Sequence, residues 1–543
     1  MKRAGKIALW VVGSLVAIVV ALFLSADIVA SRLVQKKVRQ AFEQIPDAEA
    51  TVGGIYLNLI SGSAIVKDIT FSTNSLTLED SITDRRAPGL ALHIPTLAVI
   101  TVHYADLWRE HALKIHKVSL DHPEIVLYID EKHPESILPA FPKDSTLEKA
   151  GTWLKRVGVH HFEIEDLQAR VQSTISPMHV ALDSLTTEWH NIRYDLEDSV
   201  FTFNDSVYEV QLNSVRVQLP DGLFGLELHD LKTEDQGPIE LGYTRFYNTI
   251  KPTQLAELKR EPVSWIDIEL NHLRTSALNP LRKVQAKDYT LESLQVDARR
   301  IHVCRDTRYG PKHPFGTPQA FLMALPVRFA VKQVNASVQK MDLEVTTTPK
   351  NHGAFHIRNA RAQLSNVTNR PGATWYNLAK APFGDQGHVE ARYTMHMDKK
   401  SSFEVQIEGS ELEIKDLNGF LRPLIGVTCE CTIHRLDAHY QGDKNIAKGQ
   451  FCMQYHGMNV TIHKEDPIPY DILAKNADFF SGAANALIPK SNPTAVDIVP
   501  RKYQVEWKRD EWKPYPLYLF GPCIDGVKMT MLPGLFVHKQ IMN

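Results

Sequence analysis

Residues 160–166, His-His-Phe-Glu-Ile-Glu-Asp, gather the side chains best suited to metal binding or proton transfer. His160 and His161 offer imidazole nitrogens. Glu163, Glu165 and Asp166 offer ligand oxygens or a pair of carboxylates for acid/base work. In an extended strand, however, successive side chains point to opposite faces. Alternation therefore separates His160 from His161, and the segment reads as surface histidines beside an acidic strand rim. The chain contains no Gly-x-Ser-x-Gly, no phosphate-binding loop and no His-Glu-x-x-His. The expectation is a protein with no catalytic residues, no cofactor and no metal site.

The cysteines give no framework either. Cys304, Cys429, Cys431, Cys452 and Cys523 are odd in number and lack zinc spacing. Cys429 and Cys431 fall on one face of a strand, as buried thiols do; a bridge from Cys429 to Cys452 stays open for an oxidising compartment. Asn204, Asn335, Asn366 and Asn459 head sequons, which a chain of this length acquires by chance.

These residues must be positioned by something large. The chain has 543 residues, enough for several domains or one long repetitive body. Its 61 basic and 63 acidic residues leave a formal charge of −2, which argues against a nucleic-acid partner. A hydrophobic content of 43% suits a folded body, not a disordered stalk.

The start is different. Ile7–Leu24 is an uncharged apolar run that, with its small continuation to Ala30, is long enough to cross a bilayer. It exceeds the apolar core of a usual signal peptide and lacks a clean cleavage site, so the expectation is an uncleaved anchor. Basic residues flank it almost evenly. With only six residues ahead of the span, the N-terminus is placed in the cytoplasm and the body across the membrane. Ser31–Ile45 continues with helical spacing until Pro46.

Beyond that point the pattern has period 2. Val52–Ile60 and Ala64–Phe71 flank Ser61-Gly62-Ser63, a hairpin signal. Pro95 marks an edge or an irregularity in the run 92–102. Phe403, Val405 and Ile407 alternate with Glu404, Gln406 and Glu408. Such runs, repeated every 8–15 residues or so, indicate antiparallel meanders of half-buried strands. Helical islands are few: Ser145–Arg156 with a capping-box spacing, Pro252–Arg260, a weak Ile468–Leu487, and an apolar Leu517–Met531 broken at Gly521-Pro522. Thr307–Pro318 and Arg370–Gly387 read as loops, with the best domain boundary near Pro371–Asp385.

Several phrases resemble one family. A membrane anchor and short helix precede Tyr56-Leu57-Asn58-Leu59, Gly62 and Val66-Lys67-Asp68-Ile69. His116–Tyr128 looks like a strand, turn, Pro, strand unit, and Val157–Gln172 and Leu291–Arg305 look like further copies. Gly449–Val460 is similar to a C-terminal strand with Gly and Tyr six apart. Together with Val334–Asn369 and Trp507-Lys508-Arg509-Asp510, these resemble the AsmA-like proteins of Gram-negative envelopes, in a Bacteroidetes-type variant.

The resemblance implies a mainly β fold: an N-terminal transmembrane helix, then an elongated, twisted antiparallel sheet with an apolar groove and a few short helices. It divides the chain into an anchor (1–30), a juxtamembrane helix (31–46), an N-terminal β body (47–370) and a C-terminal β region (371–543). It also implies a single-pass inner-membrane protein with a periplasmic body that serves outer-membrane biogenesis by holding or conducting phospholipid acyl chains. The expected groove lining is Tyr56, Leu57, Leu59, Val126, Tyr128, Ile164, Phe403, Val405 and Ile407. The partners implied are phospholipid or another lipid, the inner membrane through residues 7–24, and other envelope proteins. The alternative is a non-catalytic scaffold for the assembly of outer-membrane proteins or lipopolysaccharide.

Overall fold

The computed structural model describes residues 48–541, apart from 59–60, 74–75, 79–87, 104–105, 107–108, 131, 133–154, 196–199, 203–206, 278–287, 349–350, 464–480, 483–484 and 495–498. The anchor run Ile7–Leu24, the helix expected over Ser31–Ile45 and nearly all of the one expected from Ser145 lie outside the described residues. Among the described residues no helix is long and apolar enough to cross a membrane.

The period-2 runs do form strands, and the chain is mainly β. It divides into two compact units, Met1–Thr244 and Arg245–Asn543. In the first, β1 (Ala48–Asn58) and β2 (Ser63–Thr73) make the expected hairpin, with Gly62 at φ 62° in its turn. β2 pairs with β3 (Gly89–Val102), and β3 carries two antiparallel partners end to end, β4 (Ala112–Asp121) and β5 (Glu124–Ile129). Both lie parallel to β6 (Arg156–Ser173), so the expected meander is interrupted by a crossover. Antiparallel pairing then runs from β6 to β7 (His179–Asp195), with β8 (Val200–Thr202) on the end of β7. It continues through β9 (Tyr208–Gln218) to β10 (Phe224–Glu234), flanked by β11 (Ile239–Leu241). β12 (Tyr243–Asn248) straddles the boundary between the units.

A line of kinks crosses this first sheet. Asp68, His122, Asp166, Ser184 and Asp230 all have φ between 47 and 55°. This is the left-handed region, which Asp tolerates through local hydrogen bonding and Ser less readily. The ladder skips Asp68 opposite Gly53, and Asn213 opposite both Ser184 and Asp230, while the register on either side holds. Pro95 sits on the same line, opposite Asp68, where no ladder bond is made. It is therefore an irregularity in an interior strand, and its missing N–H costs nothing there. At each kink the inward parity changes: Val66 gives way to Ile69, and Ile94 to Leu97, all buried.

In the second unit α1 (Pro252–Lys259) forms where Pro at the first turn predicted a helix. β13 (Val263–Thr275) pairs with β14 (Asp288–Asp306). β14 runs parallel to β15 (Arg328–Thr348) after a crossover that holds α2 (Pro318–Met323). An antiparallel meander follows: β16 (Asn351–Thr368), β17 (Thr374–Phe383), β18 (Gly387–His396), β19 (Phe403–Glu413), then α3 (Asn418–Ile425), β20 (Val427–Gly442) and β21 (Ile446–Ile462). β22 (Ser491–Asn492) and β23 (Lys502–Lys508) pair with β21. α4 (Tyr515–Leu519) and α5 (Gly521–Met531) follow, and β24 (Gln540–Ile541) pairs back onto β23. The break between α4 and α5 falls where Gly521-Pro522 predicted it.

Residues 370–387 are not a linker. Gly372 (φ 83°) and Gly384 (φ 60°) turn the chain at the two ends of β17, an interior strand paired on both sides. The turn residues mark a hairpin, and the unit boundary lies at Thr244/Arg245 instead.

Candidate functional site

Apolar rows cross the strands of the first unit from β6 to β10. Leu167, Leu185, Leu212 and Leu231 are successive cross-strand partners. Val171, Val180, Val217 and Leu226 form a second row. In β7 and β10 the kinks at Ser184 and Asp230, and in β9 the skipped Asn213 opposite them, change parity between the rows; in β6 the rows are four residues apart, so both face the same way. All eight side chains are half-buried. The substantial contacts of β7, β9 and β10 with described elements are with lateral neighbours in the sheet. The opposite face is polar: Arg216 opposes Glu227, and Gln211 opposes Lys232. Leu and Val offer area and no reactive atoms, so these rows can shelter apolar ligand.

The end of the second unit is built from the same alternation but is closed. Phe403 (2% exposed), Val405 (4%) and Ile407 join Tyr440, Phe451, Tyr455 and Val505 in a buried cluster. α4 and α5 cover it. Tyr518 and Tyr515 meet the Phe403 ring edge-on at 5.7 and 6.4 Å between centroids. The Tyr440 hydroxyl donates to the Leu519 carbonyl at 2.8 Å, and that of Tyr518 to the Asp443 carbonyl at 2.7 Å. Burial raises the pKa of both phenols. A Cβ at Gly521 would collide with Trp507, and one at Gly526 with Phe451, so α5 lies flat on β21 and β23 only because both are glycine.

The nine residues expected to line a groove are therefore dispersed. Tyr56 is 61% exposed, with Lys67 over its ring, while Leu57 points the other way into the cluster under β1–β6. Ile164 packs against that same cluster. Val126 and Tyr128 are buried with Leu76 and Ala91. Leu59 lies outside the described residues. Phe403, Val405 and Ile407 are core, because the closing helices supply the partners that strand alternation alone left open. The rows through Leu185 and Leu212 were missed, although Leu212, Val215 and Val217 carry the signal once a parity change at Asn213-Ser214 is allowed.

The strand histidines also depart from expectation. His116, His160 and His190 form a chain of rings, with centroids 5.4 and 6.4 Å apart, and His161 lies 4.7 Å from His190. His160 and His161 thus share a face. The ladder kinks at Asn191 (φ 58°), opposite His160, and alternation fails there. In the second unit the apolar row Ile268, Ile301, Met341, Ile357 is half-buried on one face, and Asp342 anchors the other. Its side chain is 2% exposed and meets Arg300 and Lys340 at 3.0 Å and His356 at 2.7 Å. Burial alone would raise its pKa, but these three partners outweigh burial and hold it at about 2.

All five cysteines are free. Cys429 stands opposite Val460 and Cys452 opposite Asp437, so the pairing left open by the sequence does not form. Burial pushes the Cys431 thiol up to about 12, away from reactivity. No family model matches the chain, and no characterised protein matches it in sequence.

Proposed function

We propose that this is a membrane-anchored envelope protein that holds or conducts phospholipid acyl chains along the apolar face of its sheet. The observation that carries the reading is the pair of Leu and Val rows across β6, β7, β9 and β10, all eight of whose side chains stay only half-buried. A sheet that keeps such a face needs an apolar partner. An acyl chain fits the chemistry, since each methylene moved from water onto the face contributes about 0.8 kcal/mol. The apolar run Ile7–Leu24 supports a source of lipid at one end, and the resemblance to AsmA-like proteins supports the inner membrane and a periplasmic body.

The test is lipid retention by the full chain, purified in mild detergent and analysed by mass spectrometry. Leu185→Asp and Leu212→Asp should each lower the phospholipid retained at least about tenfold, with circular dichroism unchanged, because an acyl chain laid over the face would have to strip the new carboxylate of its water. Gln211→Asp, on the opposite face, should retain lipid. Absence of phospholipid from the wild-type protein would leave the scaffold reading, in which the same face receives an envelope protein.

A further inference from the structure

We propose that His161, Glu188 and His190 form a binding site for one divalent transition-metal ion of the zinc class, on the polar face of β6 and β7. This inference stands independently of the lipid reading. His161 and His190 are direct cross-strand partners, and Glu188 precedes His190 by two residues on the same face. One ligand atom from each lies within 4.8 Å of the other two, and all three residues are half-buried. The two Nδ1 atoms are 3.4 Å apart. A tetrahedral zinc ion with Zn–N bonds of about 2.0–2.1 Å places its nitrogens about 3.3–3.4 Å apart. The imidazoles are thus already at the separation of one edge of such a site.

The electrostatics point the same way. Glu163, Glu188 and Glu209 are consecutive cross-strand partners on β6, β7 and β9. Like charges directly opposite each other destabilise a sheet. Lys117 reaches Glu163 at 2.6 Å and answers one of them. A dication at Glu188 would answer the next. Lys117 also opposes a cation, and its pairing with Glu163 moderates that. His160 is held aside by Asn191, whose Oδ1 lies 2.8 Å from its Nδ1. The set of two imidazoles and one carboxylate leaves a fourth position for water, the arrangement of an open zinc site.

The competing account is two histidines sharing a proton across a strand pair. Tag-free full-length protein in detergent, stripped with chelator, separates the two. Titration with Co2+ should give the visible absorption of a four-coordinate ion saturating at one equivalent, and Zn2+ should displace it. His161→Ala and His190→Ala should each weaken Zn2+ binding by at least about a hundredfold, and the isosteric Glu188→Gln by about tenfold. His434→Ala, at a second histidine–glutamate pair, should bind as wild type does. Circular dichroism confirms that each variant is folded, and Zn2+ should raise the thermal midpoint of the wild type but not of Glu188→Gln. A wild-type protein without stoichiometric binding overturns the proposal, as does binding that survives all three substitutions.

Discussion

Strands β19–β21 and strands β6–β10 are written in the same period-2 alphabet, yet one set ends in a closed core and the other in a half-open face. The difference does not lie in the strands. Val405 and Leu212 both alternate with polar neighbours and both pair with apolar residues across the ladder. Val405 is buried because Tyr515, Tyr518 and α5, about a hundred residues further along the chain, fold back over β19–β23. Leu212 stays half-buried. Strand alternation tells which side of a sheet is apolar; whether that side is core or site depends on what else the chain can lay across it.

The largest test of this contrast is one charge placed on each face. Val405→Asp should unfold the second unit, at a cost on the order of 4 kcal/mol or more, because a carboxylate in that cluster has neither water nor a cation. Leu212→Asp should cost only roughly 1 kcal/mol, since the new group reaches solvent at the sheet face. Urea midpoints of the two variants, followed by circular dichroism, measure the gap. Equal losses would mean that the β6–β10 face is covered as completely as the other.

The same contrast explains what was legible in the sequence. The β1–β2 hairpin, α1 and the break between α4 and α5 rest on local signals: a Ser-Gly turn, a Pro at the first helical turn, a Gly-Pro pair. These were readable. The two parallel crossovers were not, because a strand's composition does not reveal the direction of its neighbour. The site residues suffered from a subtler fault. Counting alternation without interruption puts His160 and His161 on opposite faces and obscures the leucine rows; the kinks at Asn191 and Ser184 undo the count. Asp, Asn and Ser inside β-prone runs were the available signal, since Asp and Asn in particular tolerate the left-handed conformation. His190 and Glu188 come to His161 from the next strand, which only the register reveals.

An open apolar face also changes what the polar face must do. Around Ile268, Ile301 and Met341 the apolar side is only half-buried, so the ladder on the reverse, centred on Asp342, should carry more stability than surface pairs usually do. The folded pKa of Asp342, about 2, lies below its ordinary 3.8. Its contribution is therefore present above about pH 4 and lost as pH falls toward 2, and amounts to about 2 kcal/mol. Asp342→Asn should be less stable than wild type by about this amount at pH 7, and the difference should close near pH 2. Glu404→Ala, which removes the exposed pair with His439 behind the covered cluster, should cost no more than about 0.5 kcal/mol. Thermal melts of the three proteins across this pH range decide it; a pH-independent deficit for Asp342→Asn would show that packing, not charge, is what was lost.

The smallest effect should appear at the kink itself. Ser184 holds φ at 54° in the middle of β7, at the point where the leucine row changes parity. A residue with a Cβ pays roughly 1–2 kcal/mol for that conformation, and glycine does not. Glycine also has more conformational freedom to lose on folding, so Ser184→Gly should move stability by less than about 1 kcal/mol in either direction. Ser184→Val is the sharper partner. A β-branched side chain is a poor occupant of this region, so the strand must either accept the strain or straighten and turn Leu182 or Leu185 away from the apolar face. The expected outcome is a loss of about 1–2 kcal/mol in the urea midpoint, accompanied by reduced phospholipid retention, while the covered end of the second unit keeps its midpoint. If Val is tolerated with lipid retention intact, the kink does not set the face, and the rows through Leu185 and Leu212 owe their alignment to the register of β7 and β9 alone.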